Sequence, residues 1–305
     1  MLNRRLWSAA VIVSFMVLML WIDHYLGRPD TFGLPGLVLS IITTLAAIMA
    51  TSELVRMWRA AGCDLSYAVS VIGSLLLGAG ACLPLYWPMP LGECPFGLFG
   101  GTVLGLSAAL VVAFIYEMWQ FDLPGSKVER IARQVFSFAY LAMVLGMLAP
   151  HRRMFELDEP LRNGSGLCAV LAVIATVKMS DTFAYAFGKL WGRAKLAPRL
   201  SPNKTIEGAG GAILGGIVGA AIIFYCVAPF VAGKVFAKPF WWIVVYGVVV
   251  TLAGMLGDLA ESLIKRDANC KDSSGWLPGL GGALDIIDSL IFAAPASFFV
   301  WILLT

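Results

Sequence analysis

Apolar residues run along this chain in long blocks and seldom alternate with polar ones. A membrane-spanning helix needs about 20 mainly apolar residues. Nine stretches approach that length: Trp7–Leu26, Leu34–Thr51, Tyr67–Leu85, Gly97–Tyr116, Val135–Ala149, Leu167–Leu190, Gly208–Val231, Phe240–Leu256 and Ile286–Leu304. The fifth and eighth are short and borrow flanking residues. The first follows Arg4 and Arg5, is long for a signal-peptide core, and has no small-x-small cleavage site after it. It reads as an uncleaved span. The pattern predicts an all-α polytopic membrane protein with about nine transmembrane helices. Five spans fill residues 1–165, and four fill residues 166–305, which also carry the polar loops 191–207 and 257–285.

Composition agrees with that pattern. Of 305 residues, 59% are hydrophobic and 13% are charged, and the mean hydropathy is +0.83. Soluble domains run about 45–50% apolar with glycine included and about 25% charged. A water-soluble globule could not hide so much apolar surface. A soluble enzyme, a disordered chain, a secreted disulfide scaffold and a nucleic-acid binder are all excluded. Cys63, Cys82, Cys94, Cys168, Cys226 and Cys270 form no C-x-x-C pair, so they read as buried membrane thiols and not as a zinc or redox motif.

Orientation follows from where Lys and Arg fall. With the N-terminus cytoplasmic and the C-terminus outside, most of the 22 basic residues lie on inside segments. These include Arg56 and Arg59, Lys127 to Arg133, Arg193 to Lys204, and Lys265 to Lys271. The Arg152–Arg153 pair opposes the bias locally. Loops 191–207 and 257–285 then share the cytoplasmic side. His24 and His151 are the only histidines, and both fall at the outer face, so chemistry at the loops must work without an imidazole.

The richest polar stretch begins Gly257-Asp258-Leu-Ala-Glu261-Ser262-Leu-Ile-Lys265-Arg266 and continues through Lys271-Asp272 to Gly279-Leu280-Gly281-Gly282-Ala-Leu-Asp285-Ile-Ile-Asp288. On a helix, Asp258, Glu261, Ser262 and Lys265 share one face. Asp285 and Asp288 are also three apart and point the same way. A glycine-rich turn opening a helix offers N–H groups and a positive dipole end to phosphate. Carboxylates on two helix ends, such a turn and nearby lysines suit Mg²⁺ and a polyphosphate. Acidic residues at a span edge are costly and tend to be functional.

Two further stretches carry chemistry. In Ser201-Pro-Asn-Lys204-Thr205-Ile-Glu207-Gly208, Ser201 or Thr205 suits a helix cap, and Glu207 suits the helix N-terminus. The same segment could instead set Lys204 and Thr205 on nucleotide phosphates. In Lys178-Met-Ser-Asp181-Thr-Phe-Ala-Tyr185, Lys178 and Asp181 either pair to make the sixth span tolerable or serve function.

The run Ser262-x-x-Lys265-Arg266-x4-Lys271-Asp272-x-x-Gly275-x-x-Pro278-Gly279-x-Gly281-Gly282-x-x-Asp285-x-x-Asp288 resembles the signature of the phosphatidate cytidylyltransferase family, also called CDP-diacylglycerol synthases. Ser201-Pro-x-Lys204-Thr205-x-Glu207-Gly208 resembles its second motif. Asp181-Thr-x-Ala-Tyr185 resembles a third, with Phe183 where the family has glycine. Leu280 and Ile286 stand where the family usually has histidine and arginine. The resemblance covers roughly the C-terminal half, three ordered motifs make it specific, and it implies that residues 166–305 form the catalytic region.

The resemblance implies cytidylyl transfer from CTP to phosphatidate, giving CDP-diacylglycerol and pyrophosphate in the plasma membrane with the active site facing the cytoplasm. Asp258, Asp285 and Asp288 would ligate Mg²⁺, with K⁺ as an accompanying ion, and Lys265 would join them in catalysis. Ser201, Lys204, Thr205, Glu207, Ser262, Arg266, Lys271, Asp272, Gly279, Gly281, Gly282 and Asp181 would bind substrate. A homodimer is a further family expectation, and nucleic acid is not an expected partner. Two other readings are a CTP-dependent polyprenol or phytol kinase and a degenerate, non-catalytic lipid-binding protein.

Overall fold

The computed structural model describes residues 18–27, 36–86, 99–122, 125, 127–153, 165–231, 239–270, 273–274 and 281–304. The beginning of the expected first span, together with Lys271, Asp272, Gly279 and Leu280, lies outside the described residues. The chain divides into two compact units. One is Met1–Arg153 with Asp267–Ile287, and the other is Met154–Arg266 with Asp288–Thr305.

The first unit holds α1 (residues 18–26), α2 (Leu37–Ala60), α3 (Tyr67–Tyr86), α4 (Gly100–Trp119) and α5 (Lys127–Arg153). Helix α2 begins after Gly36 without a side-chain cap of its own. Asp23 supplies one from α1, accepting from the Gly36, Val38 and Leu39 amides at 3.0–3.2 Å. A negative charge suits that dipole end. Arg152 of α5 pairs with the same carboxylate at 3.3 Å, both groups fully buried.

Helices α3 and α4 come together through glycine. A β-carbon on Gly80 or Gly101 would strike the other's carbonyl oxygen. Small residues let backbones approach where lipid tails leave no hydrophobic drive between helices. Polar bonds add to this packing. Ser74 Oγ donates to Thr51 Oγ1 at 2.8 Å, and Gln134 bonds both the Ser66 amide and the Ser66 carbonyl.

The second unit holds α6 (Ser165–Trp191), a hairpin of β1 (Lys195–Ala197) and β2 (Ser201–Thr205), α7 (Ile206–Ala221), a π-helical turn (Ile222–Val227), α8 (Ala228–Val231), α9 (Phe240–Asp267) and most of α10 (Ala283–Leu304). The hairpin pairs Lys195 with Thr205 and Ala197 with Ser201, so part of the 191–207 loop is sheet. Gly208, Gly211, Gly215 and Gly219 recur at helical spacing along α7 and face α6. Phe183 lies against Gly215, so the glycine on α7 makes room for the bulky residue in the Asp181–Tyr185 motif. Across α7, Gly216 meets Thr251 and Gly247 meets Ile217. Phe224, Trp242, Tyr246 and Trp301 form an aromatic cluster with ring centroids 4.7–6.3 Å apart. The Tyr246 hydroxyl finds its partner in Ser297 at 2.9 Å, as a buried phenol must.

Six segments are long and apolar enough to cross a bilayer: Leu37–Ala60, Gly100–Trp119, Ser165–Trp191, Ile206–Val231, Phe240–Asp267 and Ala283–Leu303. Tyr67–Leu83 is a shorter apolar helix. The expected fifth span lies in α5, whose first two turns carry Lys127, Glu129, Arg130 and Arg133. Bulky apolar side chains such as Val103, Val111, Phe114 and Ile115 are exposed on α4. That surface suits lipid, and the chain is a polytopic, mainly helical membrane protein.

Candidate active site

The stretch from Ser201 to Gly208 folds as β2 and the first turn of α7. Thr205 is the N-cap, and its Oγ1 accepts from the Gly208 amide at 3.1 Å. Glu207 reaches back across the hairpin and accepts from the Arg193 and Ala194 amides at 3.0 and 3.2 Å. The Ile206 amide closes the same turn on the Ala194 carbonyl at 3.0 Å. Cap and brace are therefore the observed roles of Thr205 and Glu207, and they leave Lys204 fixed at the rim of the hairpin.

That rim borders a cavity of about 600 Å³ within the second unit, lined by Asp181, Lys189, Ser201, Lys204, Thr205 and Asp258 among others. Lys204 forms an ion pair with Asp258, joining the Ser201–Gly208 motif to the stretch that begins at Gly257. Asp181 pairs with Lys178 at 3.7 Å on the same helix and shares the cavity wall. Arg266 is exposed, and its Nε approaches the Leu200 carbonyl at 3.5 Å. Ser262 is half-buried on α9.

Next to Lys204 stands a carboxylate cluster. Oxygens of Asp258, Glu261 and Asp288 lie within 4.8 Å of one another. Glu261 is 1% exposed and Asp288 is 9% exposed. Gly257 permits this approach of α9 and α10, because a β-carbon there would come within 2.6 Å of the Asp288 carbonyl oxygen. Lys265 pairs with Glu261 at 2.6 Å, one turn along α9. Lys204 and Lys265 pair with Asp258 and Glu261, and Asp288 adds a third carboxyl group in a largely buried site. Buried charge is tolerated only with compensation, and three hard oxygen ligands close together are a donor set that Mg²⁺ fits.

Asp285 is held differently. In the first unit its Oδ2 accepts from the Gly282 amide at 2.6 Å and lies 2.8 Å from Ser273 Oγ. The expected trio was Asp258, Asp285 and Asp288, whereas the observed close group has Glu261 as its third member. Of the expected glycine turn, Gly281 and Gly282 are among the described residues. Gly281 adopts φ +87°, a conformation that favours glycine, and it leads into α10. Three amides around the start of α10 are committed to carboxylates: Gly282 N–H to Asp285, and Ala283 and Leu284 N–H to Glu53 at 3.0 Å each. A helix N-terminus attracts any anion, and here the protein provides its own.

Glu53 and the ligand-like position of Glu261 were missed from sequence. Glu53 sits just beyond the end assigned to the second span, and an acid inside an otherwise apolar helix was the signal available. Glu261 was seen on the Asp258 face, but only the approach of α10 shows that it completes the cluster.

Comparison with known proteins supplies the context. The chain matches the sequence model of the Cytidylyltransferase family over residues 3–304. It is 34% identical over 277 residues to the phosphatidate cytidylyltransferase of Mycobacterium bovis, covering 87% of this chain and 79% of that protein. The phosphatidate cytidylyltransferase of Staphylococcus epidermidis is 32% identical over 260 residues, 85% of this chain and 88% of its own. That of Chlamydia pneumoniae is 29% identical over 301 residues, 97% and 91% respectively. A match across nearly the whole chain, with the hairpin lysine paired to the α9 aspartate, means that this protein belongs to the Cytidylyltransferase family.

Proposed function

We infer that the protein transfers the cytidylyl group of CTP to phosphatidate, giving CDP-diacylglycerol and pyrophosphate for phospholipid synthesis. The observation that carries this reading is the Lys204–Asp258 pair on the wall of a cavity large enough for a nucleotide, with Asp258 also a member of the Asp258–Glu261–Asp288 cluster. A phosphate oxygen of phosphatidate attacks the α-phosphorus of CTP. The bond to the β-phosphate oxygen breaks, and pyrophosphate leaves with the electron pair. The attacking oxygen is already anionic near neutral pH, so the absence of a histidine from the cavity wall costs nothing. The protein's task is to bring polyanions together and hold the charge that develops on the leaving group.

Lys204 and Lys265 supply positive charge at the cluster, and Lys189 supplies it on the cavity wall. Asp258, Glu261 and Asp288 would hold Mg²⁺, which supplies charge neutralisation at the leaving pyrophosphate. Asp285 belongs to the motif set as well, and its contribution is read from substitution. K⁺ is the accompanying ion that the motif resemblance implies. Residues 166–305 serve as the catalytic region, the acyl chains stay in the bilayer, and the lipid phosphate enters from the interface.

In the finer topology we propose nine spans, a cytoplasmic N-terminus, an external C-terminus, and a plasma-membrane location with the cavity facing the cytoplasm. A homodimer is proposed on family grounds. The test is direct: purified protein with CTP, Mg²⁺ and phosphatidate should release pyrophosphate and yield a cytidine-containing lipid by mass. A phosphorylated alcohol from polyprenol and CTP, with no cytidine-containing lipid, would replace this reading with a kinase.

A further inference from the structure

Glu53 lies on α2, outside every motif that the sequence singles out, and it is 1% exposed. Four donors converge on its carboxylate. Ser273 Oγ donates at 3.0 Å, Ser274 Oγ at 2.7 Å, and the Ala283 and Leu284 amides at 3.0 Å each. Arg56, one turn along α2, stands 3.9 Å away and is half exposed. The Ala283 and Leu284 amides open α10, so the buried charge also meets the positive end of that helix. All four donors come from the polar run that the sequence assigns to chemistry.

Ser273 ties Glu53 to that chemistry. Its Oγ is also 2.8 Å from Asp285 Oδ2, and a hydroxyl has a single hydrogen to donate. The two carboxylates therefore share one donor, and the second bond to Asp285 comes from Gly282. Gly282 is itself wedged against the pair, since a β-carbon there would strike Ser273 Oγ and Glu53 Oε2. The position of Asp285 is thus set by a bond that Glu53 also orients. A plain helix cap would need neither the two serines nor the glycine.

We propose that Glu53 is a positioning residue for cytidylyl transfer: from α2 it clamps Ser273, Ser274 and the first turn of α10, and so fixes Asp285. This rests on the cytidylyltransferase reading above. Glu53 does not touch substrate. It acts through Ser273 and the α10 amides.

The test uses the full-length protein in detergent with phosphatidate, CTP and Mg²⁺, as wild type, Glu53→Gln, Ser273→Ala and the double variant. Glu53→Gln keeps the volume and loses the charge. Its kcat should fall by more than about tenfold while the CTP KM stays within about threefold, the split expected when the reacting geometry and not ground-state binding is lost. Hydrogen exchange at Ala283 and Leu284 should quicken while α6 and α7 keep their protection. The double variant should be scarcely worse than the poorer single one, because both changes cut the same link. Wild-type kcat in Glu53→Gln would overturn the proposal. So would exchange that quickens throughout both units, which would mark Glu53 as a general structural residue. A wild type that forms no CDP-diacylglycerol would instead defeat the functional reading beneath it, and this role for Glu53 would fall with it. Local loosening at α10 with full turnover would defeat the Glu53 role alone.

Discussion

Lys204 at the end of the hairpin is ion-paired with Asp258 in the middle of α9, so two separate sequence motifs meet at one contact. The lysine is a cation for phosphate and a counter-charge for the carboxylate cluster. Its removal should therefore be felt twice. Lys204→Ala is expected to raise the CTP KM, lower kcat, or both, in steady-state assays with CTP varied. Unchanged CTP kinetics would reduce the segment to its capping and bracing roles.

The carboxylate cluster gives the sharpest expectation. Asn at Asp258 or Asp288 preserves volume and removes charge. Activity should fall by more than about 10²-fold, the scale on which a lost transition-state charge contact is felt. Chelation of Mg²⁺ should abolish turnover and its return should restore it. Asp285→Asn, made in parallel, reads out whether the carboxylate held by Ser273 and Gly282 contributes as much as the close trio. Near-normal turnover there would remove Asp285 from the metal set.

Thr205 separates a cap from a phosphate ligand. Thr205→Ala loses the bond from the Gly208 amide and should cost about 1 kcal/mol of stability. Thr205→Ser should retain it. Thermal unfolding in detergent checks the first effect. If CTP KM also rises in Thr205→Ala and recovers in Thr205→Ser, the hydroxyl serves nucleotide as well.

The glycine stripe of α7 offers an internal control. A β-carbon at Gly215 would meet the Met179 carbonyl at 2.5 Å, whereas one at Gly210 meets nothing within 4 Å. Gly215→Ala must push α6 and α7 apart and should cost about 1–3 kcal/mol, as overpacking does. Gly210→Ala should be neutral or slightly stabilising, because alanine is the better helix former. Unfolding midpoints that fail to separate the two would contradict the observed packing.

Orientation is open to chemical labelling. With the proposed topology, an impermeant maleimide on intact cells should reach a lone Cys94 and miss a lone Cys270. The reverse pattern would turn the chain over and remove the cytoplasmic access on which CTP depends.

The chain's membrane character, its helical class and the three motif segments were legible in sequence. Each rests on local properties: the length of apolar runs, helical spacing, and a capping residue before a helix. Six of the expected spans correspond to segments long and apolar enough to cross a bilayer. The helix start at Ile206 also follows from its Thr205 cap and Glu207. Which acids stand together was not local. Glu261 joins Asp258 and Asp288 because Gly257 lets α10 come close. Glu53 receives the α10 amides although 230 residues separate it from Ala283. Sequence spacing reports neighbours on one helix, and it carries no record of which other helix presses against that face. The apolar pattern thus determined that these helices cross a membrane, while the close glycine contacts and the satisfaction of buried charges decided which of their polar residues meet.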